Sequence, residues 1–413
     1  MILFYRILIN IIFFLSPIII LIRLLKKKED KKRFKEKFCF YNKPNNNQVI
    51  WFHGASVGEL LSIMPLIEKF ENSKDVKKIL ITSNTLSSAK ILSQFNFKKT
   101  IHQFFPIDTN YHSKKFLDYW KPKVAIFIDS EIWPNMIFNL KKKSIPSILI
   151  NGRITKKTFK KWFLVKNFSK KLFKEFNLCL VANNETKKFL KTLGAKKIRF
   201  LGNLKFTQLE NEKILDINRL KKISKKRKIW CSVSTHYPEE VFLIKTHKLL
   251  KKKYPNLLTI IIPRHVERTN EIVEILKKEK VKFYLDSSKK KISKNLEIYV
   301  VDAYGKTKSF FNISKVSFIG GSIIKHGGQN PIEAAKQGCK IISGPFIWNF
   351  KEIYQFLKNK RVAEIINSPN QLAKIVDNSF KENKKMNQIG KKIKSIGDDI
   401  LKSTEKELAT FIK

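Results

Sequence analysis

The sequence predicts two successive doubly wound α/β domains behind an N-terminal membrane-anchoring helix. Three observations carry this. Residues 2–22, ILFYRILINIIFFLSPIIILI, hold a single charge, Arg6, and about 20 apolar residues suffice to cross a bilayer core. Beyond them, short apolar runs alternate with amphipathic stretches, the pattern of parallel strands covered by helices. The alternation occurs twice, on either side of the polar, lysine-rich stretch 210–228. At 413 residues the chain also exceeds what one hydrophobic core usually serves.

The anchor, residues 1–25, comes first. Its apolar run, residues 2–22, is followed by Arg23, Lys26, Lys27, Lys28, Lys31, Lys32, Arg33, Lys35 and Lys37, a basic flank expected to stay on the cytoplasmic side and to place the rest of the chain inside the cell. A cleaved signal peptide fits less well, because the run is long and no small-x-small site precedes the basic flank. Arg6 and Pro17 interrupt the run, so a spanning helix and a shallow interfacial anchor both remain open. The first domain, 33–209, has expected strands at Val49–Phe52, Lys78–Thr82, Val124–Ile128, Ser147–Ile150 and Leu178–Ala182. The stretch 210–228 reads as a linker. The second domain, 229–390, has expected strands at Ile229–Val233, Leu258–Ile262, Glu297–Val301, Val316–Ile319 and Lys340–Ile342. Helical patterns lie between them at Leu60–Phe70, Glu240–Lys252 and Asn270–Glu279, and residues 391–413 form a last helix. Ligands of such sheets bind beyond the carboxyl ends of the strands.

Composition excludes several classes. With 43% apolar residues and 33 Phe the chain is not intrinsically disordered. Its four cysteines, at 39, 179, 231 and 339, make no C-x-x-C pair, so neither a zinc module nor a disulfide scaffold is expected. Lys+Arg 84 against Asp+Glu 34 leaves a net charge of +50, which favours anionic partners. The lysines are spread along the whole chain, however, as a general compositional bias would spread them. No basic stripe with interleaved aromatics and no nucleic-acid-binding module is apparent, so nucleic acid is not an expected partner. Membrane lipids are.

Six stretches at strand ends carry chemistry. In Trp51–Glu59, WFHGASVGE, Ser56 and Glu59 fit a capping box. Gly54, Ala55 and Gly58 also keep the turn open to a ligand, and Glu59 facing a cleft would serve as general base. Asp129–Asn135, DSEIWPN, offers Glu131 either as a loop residue or as a polar group aimed into the cleft. Asn151–Arg153 places Arg153 at a strand end, where it suits a phosphate or carboxylate, or simply the surface. Ser232–His236 offers hydroxyls, Ser234 among them, and backbone N–H groups to a phosphate. Pro263–Arg268, PRHVER, brings Arg264, His265 and Arg268 to one strand end, as an anion site or as a solvated helix start. Gly320–Ser322 and His326–Ala335 bare the backbone ahead of a helix, with Asn330 as N-cap, Pro331 at its first position and Glu333 at its third. Dinucleotide and P-loop fingerprints are absent. Neither a D-x-D motif nor a clustered ligand set calls for a metal.

In this order WFHGASVGE, DSEIWPN, NGRIT, LGNLKF, STH, PRHVER and GGSIIKHGGQNPIEAA resemble the 3-deoxy-D-manno-octulosonic acid (Kdo) transferases of lipopolysaccharide biosynthesis, from about Arg33 to Phe350. The resemblance implies a GT-B fold of two Rossmann-like domains, an inner-membrane anchor and a last helix returning to the first domain. It implies transfer of Kdo from CMP-Kdo to the lipid A precursor lipid IVA, inverting and without cofactor, with Glu59 as general base. It implies donor contacts from Pro263, Arg264, the Tyr304-Gly305-Lys306 segment and Asn330, Pro331, Ile332 and Glu333. Ser56, Glu131, Arg153, Lys205, Ser234 and His265 are further cleft residues. Gln329 stands where the family has His, Lys306 where it has an acidic residue, and Gly152 where it has Ala. Two other readings compete: another GT-B nucleotide-sugar transferase or epimerase, and a basic membrane-tethered nucleic-acid binder. Thermal protection by CMP separates the first reading from both.

Overall fold

The computed structural model describes residues 1–41, 48–207, 224–225, 227–288, 292–293, 295–381 and 385–412. The chain divides into two compact units, Met1–Leu209 with Gly397–Lys413, and Glu210–Ile396. The expected linker, 210–228, lies mostly outside the described residues.

The first unit is built on seven parallel strands: β1 (Val49–His53), β2 (Ile79–Ser83), β3 (Thr100–Phe104), β4 (Pro122–Ile128), β5 (Ser147–Gly152), β6 (Leu178–Val181) and β7 (Ile198–Phe200). Their order is β3-β2-β1-β4-β5-β6-β7. β1, β2 and β6 are buried throughout, and β4 is buried except at Lys123. That is why they read as unbroken apolar runs rather than alternating ones. Trp51 packs tilted against Phe116 and edge-on to Phe127, all three fully buried in the core.

The second unit repeats the plan with β8 (Ile229–Thr235), β9 (Leu258–Pro263), β10 (Phe283–Leu285), β11 (Ile298–Val300), β12 (Val316–Ile319), β13 (Lys340–Ser343) and β14 (Ala363–Ile365), in the order β10-β11-β9-β8-β12-β13-β14. The ten strands expected from sequence are the ten interior strands of the two sheets. β3, β7, β10 and β14 are additional, and they are the four edges.

The N-terminal helix, Ile2–Leu25, is held along the first unit at both ends. Tyr5 Oη donates to Asp108 Oδ2 at 2.8 Å, and Arg6 donates to Asn135 Oδ1 at 3.0 Å and Asn110 Oδ1 at 3.1 Å. Phe13 packs 4.9 Å from the His112 ring, and Arg23 pairs with the buried Glu29 at 2.8 Å. Arg6 is therefore a docking residue rather than a flaw in the apolar run. Pro17 has no N–H to give to the carbonyl of Phe13. The Ser16 hydroxyl donates to that carbonyl instead, at 2.6 Å, so the helix passes the proline without an orphaned acceptor. Phe4, Phe14, Ile18 and Leu25 remain exposed.

Asp108 also accepts from the backbone N–H groups of Asn135 and Met136, at 3.0 and 2.8 Å. It thereby caps the helix Pro134–Lys142, whose own N-cap position, Trp133, makes no side-chain cap. The helix Lys385–Ile412 contributes its second half to the first unit. Ile400, Leu408 and Ile412 are buried there, Glu405 pairs with Lys69 and Glu407 with Arg199.

Candidate active site

In the first sheet the chain runs outward from β1 to β2 and β3, then crosses back to start β4 on the other side of β1. The crevice at the carboxyl ends of β1 and β4 is the switch point of this unit. The turn leaving β1 leads to Glu59, in the first turn of the next helix, and the loop leaving β4 holds Glu131.

Ser56 caps the helix Val57–Asn72. Its hydroxyl donates to Glu59 Oε1 at 2.9 Å, and the N–H of Ala55 donates to Glu59 Oε2 at 2.7 Å. The capping geometry read from the sequence is present. Gly54 lets this turn fold tightly, since a Cβ there would lie 3.0 Å from Ile128 and 3.3 Å from Glu59 Cβ. Over Gly58 a Cβ would meet nothing within 4 Å, so the first turn of this helix is open at that position. Burial, then Glu131 and Asp129, push the Glu59 carboxyl up to about 7, against the Ser56 and Ala55 hydrogen bonds. A capped helix terminus alone would favour the charged form. The neighbouring carboxylates and the loss of water outweigh it.

Glu131 is held from behind. Its Oε2 lies 3.1 Å from His53 Nε2 and accepts from Trp133 Nε1 at 2.9 Å. His53, fully buried, stacks on Phe105 at 3.8 Å and meets Thr82 Oγ1 through Nδ1 at 2.9 Å. Trp133 Nε1 also lies 3.1 Å from His53 Nε2, and His53 Nδ1 lies 3.2 Å from the Thr82 carbonyl, so Glu131, Trp133, His53 and Thr82 form one buried polar network. Asp129 takes a left-handed backbone, φ +61°, and so does Asn151, φ +52°. Asn151 is buried, and its side chain accepts from the N–H of Leu204 at 2.9 Å, tying the turn Leu204–Thr207, with Lys205, to the end of β5. The N–H of Arg153 donates to the carbonyl of Asp129 at 3.1 Å.

The second unit presents the opposite charge. At the carboxyl ends of β8 and β9, His236 lies 4.3 Å from the His326 ring and 5.8 Å from His265. Gln329 Nε2 donates to its Nε2 at 3.3 Å. Burial, then His326, His265, Arg268 and Arg264, hold His236 down to about 4, so it is neutral among cations. Arg264 follows the buried Pro263 and is exposed. Arg268 is already committed: it bridges both oxygens of the fully buried Glu240, at 3.1 and 3.2 Å. Of the two arginines in PRHVER only Arg264 is directed to solvent. Ser234 forms the bulge in β8, φ +56°. Tyr304 is exposed and donates to Glu267 at 3.1 Å. Gly305 turns with φ +78°, and Lys306 pairs with the buried Asp286 at 2.5 Å.

Two expectations about the glycine turn are corrected. The N–H groups of Gly321, Ser322 and Ile323 do not stand bare. All three donate to the carboxylate of Glu239, at 2.8 to 3.0 Å, as does the N–H of His236. Glu239 is fully buried and fills the anion position from within. The helix beyond it runs only over Ile332–Lys336, with Pro331 at the cap position rather than inside. Asn330 Oδ1 accepts from the N–H of Ile332 at 3.1 Å. A helix this short has little dipole to offer a phosphate. Ile332 is buried, and Glu333 is half-buried. Sequence reasoning missed Glu239 because its partners lie across the sheet switch; the only local sign is an acid three residues after His236.

The family model for 3-deoxy-D-manno-octulosonic-acid transferase (kdotransferase) matches residues 32–208. A 3-deoxy-D-manno-octulosonic acid transferase of Haemophilus influenzae is 30% identical over 86% of this chain and 84% of its own length. One of Rickettsia bellii is 35% identical over 88% of each. Among solved structures, a UDP-GlcNAc 2-epimerase of Neisseria meningitidis bound to UDP-GlcNAc covers 88% of this chain and 100% of its own, at TM-score 0.60 and 13% identity. That likeness is one of fold, the two Rossmann-like units of GT-B enzymes. Because the bacterial transferases match at these identities across both units, the chain belongs to the 3-deoxy-D-manno-octulosonic acid transferase family.

Proposed function

We propose that this Kdo transferase of lipopolysaccharide biosynthesis takes its sugar from CMP-Kdo and passes it, with inversion, to the non-reducing glucosamine of lipid IVA. The observation that carries the reading is Glu59: a carboxyl raised to about 7, at the switch point of the first sheet, in a helix turn left open at Gly58. A base of that pKa is matched to proton abstraction at neutral pH. Glu59 takes the proton of the 6′-hydroxyl as that oxygen bonds to the Kdo anomeric carbon. The bond from that carbon to the cytidylate phosphate breaks, and CMP leaves with the electron pair. Glu131, fixed by His53 and Trp133, keeps negative charge near Glu59 and raises its basicity.

The electropositive end of β8 and β9 supports binding of the departing phosphate, with Arg264 and His265 as its contacts and Ser234 beside them. Pro263, Tyr304, Gly305, Lys306, Asn330, Pro331, Ile332 and Glu333 surround the nucleotide in this reading. Arg153 and Lys205 stand near the acceptor. The helix Ile2–Leu25 lies in the interfacial plane of the inner membrane, since both of its ends are docked on one unit. Its basic flank faces the anionic headgroups of the same membrane surface. The test is Kdo transfer from CMP-Kdo to lipid IVA in detergent, wild type beside Glu59→Ala, with products resolved by mass. Transfer lost in a folded Glu59→Ala variant supports the assignment. Transfer that survives returns Glu59 to its capping role.

A further inference from the structure

The helices Pro134–Lys142 and Lys166–Phe173 and the first turns of the N-terminal helix together line a cavity of about 570 Å³, within the usual range for a small ligand. Its apolar lining comes from Ile2, Phe138 and Phe168, all packed on the core of the first unit. Its basic lining is Arg6, Lys141, Lys142 and Lys171, and no acidic residue lines it. The three lysines are exposed and make no ion pair among the described residues. Arg6 bonds only to neutral amide oxygens, so its charge is also uncompensated. Lysines in the last turn of a helix complement its dipole, which accounts for each one singly. It does not account for cations from three separate elements meeting over one apolar floor. The exposed apolar side chains Leu3, Phe4 and Ile7 continue from this cavity along the N-terminal helix.

We propose that this cavity binds one anionic glycerophospholipid of the surrounding bilayer. Its phosphodiester sits among Lys141, Lys142, Lys171 and Arg6, and the first carbons of its acyl chains lie on Ile2, Phe138 and Phe168. The inference rests on the membrane attachment proposed above and adds a lipid class and a site to it. The acceptor is a different matter. Lys141 and Lys142 end the helix whose start follows Glu131 and Trp133, so the cavity lies about 12 Å along that helix from the catalytic loops. A lipid seated there fixes the depth and rotation of the first unit at the membrane without occupying the acceptor position.

The test measures partition of the full chain onto vesicles of phosphatidylcholine alone and of phosphatidylcholine with phosphatidylglycerol. Wild type is compared with the triple variant Lys141→Gln, Lys142→Gln, Lys171→Gln. A control triple, Lys252→Gln, Lys278→Gln, Lys360→Gln, removes the same charge from exposed positions of the second unit. A basic residue at an anionic surface strengthens binding about fivefold, so the site triple loses about a hundredfold of the preference for phosphatidylglycerol. It keeps its partition onto phosphatidylcholine and its Kdo transfer in detergent, and the control triple keeps the preference. Equal losses in the two triples, or none in the site triple, overturn the site and leave only diffuse charge. Wild-type partition indifferent to phosphatidylglycerol, with lipid IVA bound at these lysines instead, overturns the choice of lipid. Wild type that partitions onto neither vesicle overturns the membrane attachment and the site together.

Discussion

Glu59 caps a helix and, in the function proposed above, is also the base, and Glu59→Gln separates the two roles. The amide keeps the shape: its oxygen accepts from Ala55 and its nitrogen donates to the Ser56 hydroxyl. Only the charge is removed. The carboxyl is raised from 4.5 to about 7 in the folded chain, so the native state binds the proton more tightly than the unfolded state does. Such a group costs nothing below about pH 4.5. Its penalty grows as pH rises through that value and is complete above about 7. The gap corresponds to about 3 kcal/mol, which the partial exposure of Glu59 trims to about 2 kcal/mol. At pH 8.5, Glu59→Gln therefore melts about 5 °C above wild type, taking about 2–4 °C per kcal/mol for a unit of this size. At pH 4.5 the two melt together. Kdo transfer at pH 8.5 falls by a factor of about 10² to 10⁴. Paired melts and single-turnover transfer in detergent read both numbers. A variant that melts below wild type at pH 8.5 refutes the reasoning, because the charge then stabilises the cap. So does one that keeps its transfer rate.

Four more outcomes are expected. The pH profile of kcat/KM for wild type rises with one ionisation near 7, and Glu131→Gln moves that rise to lower pH, since its charge is one cause of the elevation. Arg264→Ala keeps the wild-type melting temperature and weakens CMP binding about tenfold or more by calorimetric titration. Arg268→Ala instead lowers stability by about 3–5 kcal/mol in urea, because it strands the buried Glu240. Gly320→Ala costs about 1–3 kcal/mol, as its Cβ would lie 2.4 Å from the carbonyl of Ser234 and 2.7 Å from Thr235 Cα.

The strands legible in the sequence are those with neighbours on both sides. β4 and β9 sit inside their sheets and read as runs of apolar residues. β7, Ile-Arg-Phe, and β14, Ala-Glu-Ile, lie at the edges and carry charge facing solvent, which blunts an edge and hides it from an apolar pattern. Glu59 was legible because its partners, Ala55 and Ser56, are local. His53 behind Glu131, Asp108 capping a helix far along the chain and Glu239 filling the glycine turn were not. Each depends on a partner brought close only by the parallel crossovers, 27 or more residues away for Glu131, Asp108 and the Gly321–Ile323 turn. Lys306 shows the same limit: its partner Asp286 comes from the loop after an edge strand.

The return of Gly397–Lys413 to the first unit has a consequence for synthesis. A domain made first ordinarily folds first. Here the surface of the first unit around Gly202, whose backbone lies against Ile400, stays uncovered until the whole of Glu210–Ile396 has emerged from the ribosome. At about 5–20 residues per second that delay is about 10–40 s. During it the apolar N-terminal helix is already made, so under the membrane attachment proposed above it reaches the bilayer surface before the fold is complete. A ribosome that stops early leaves a half-closed first unit with exposed apolar surface rather than a partial enzyme.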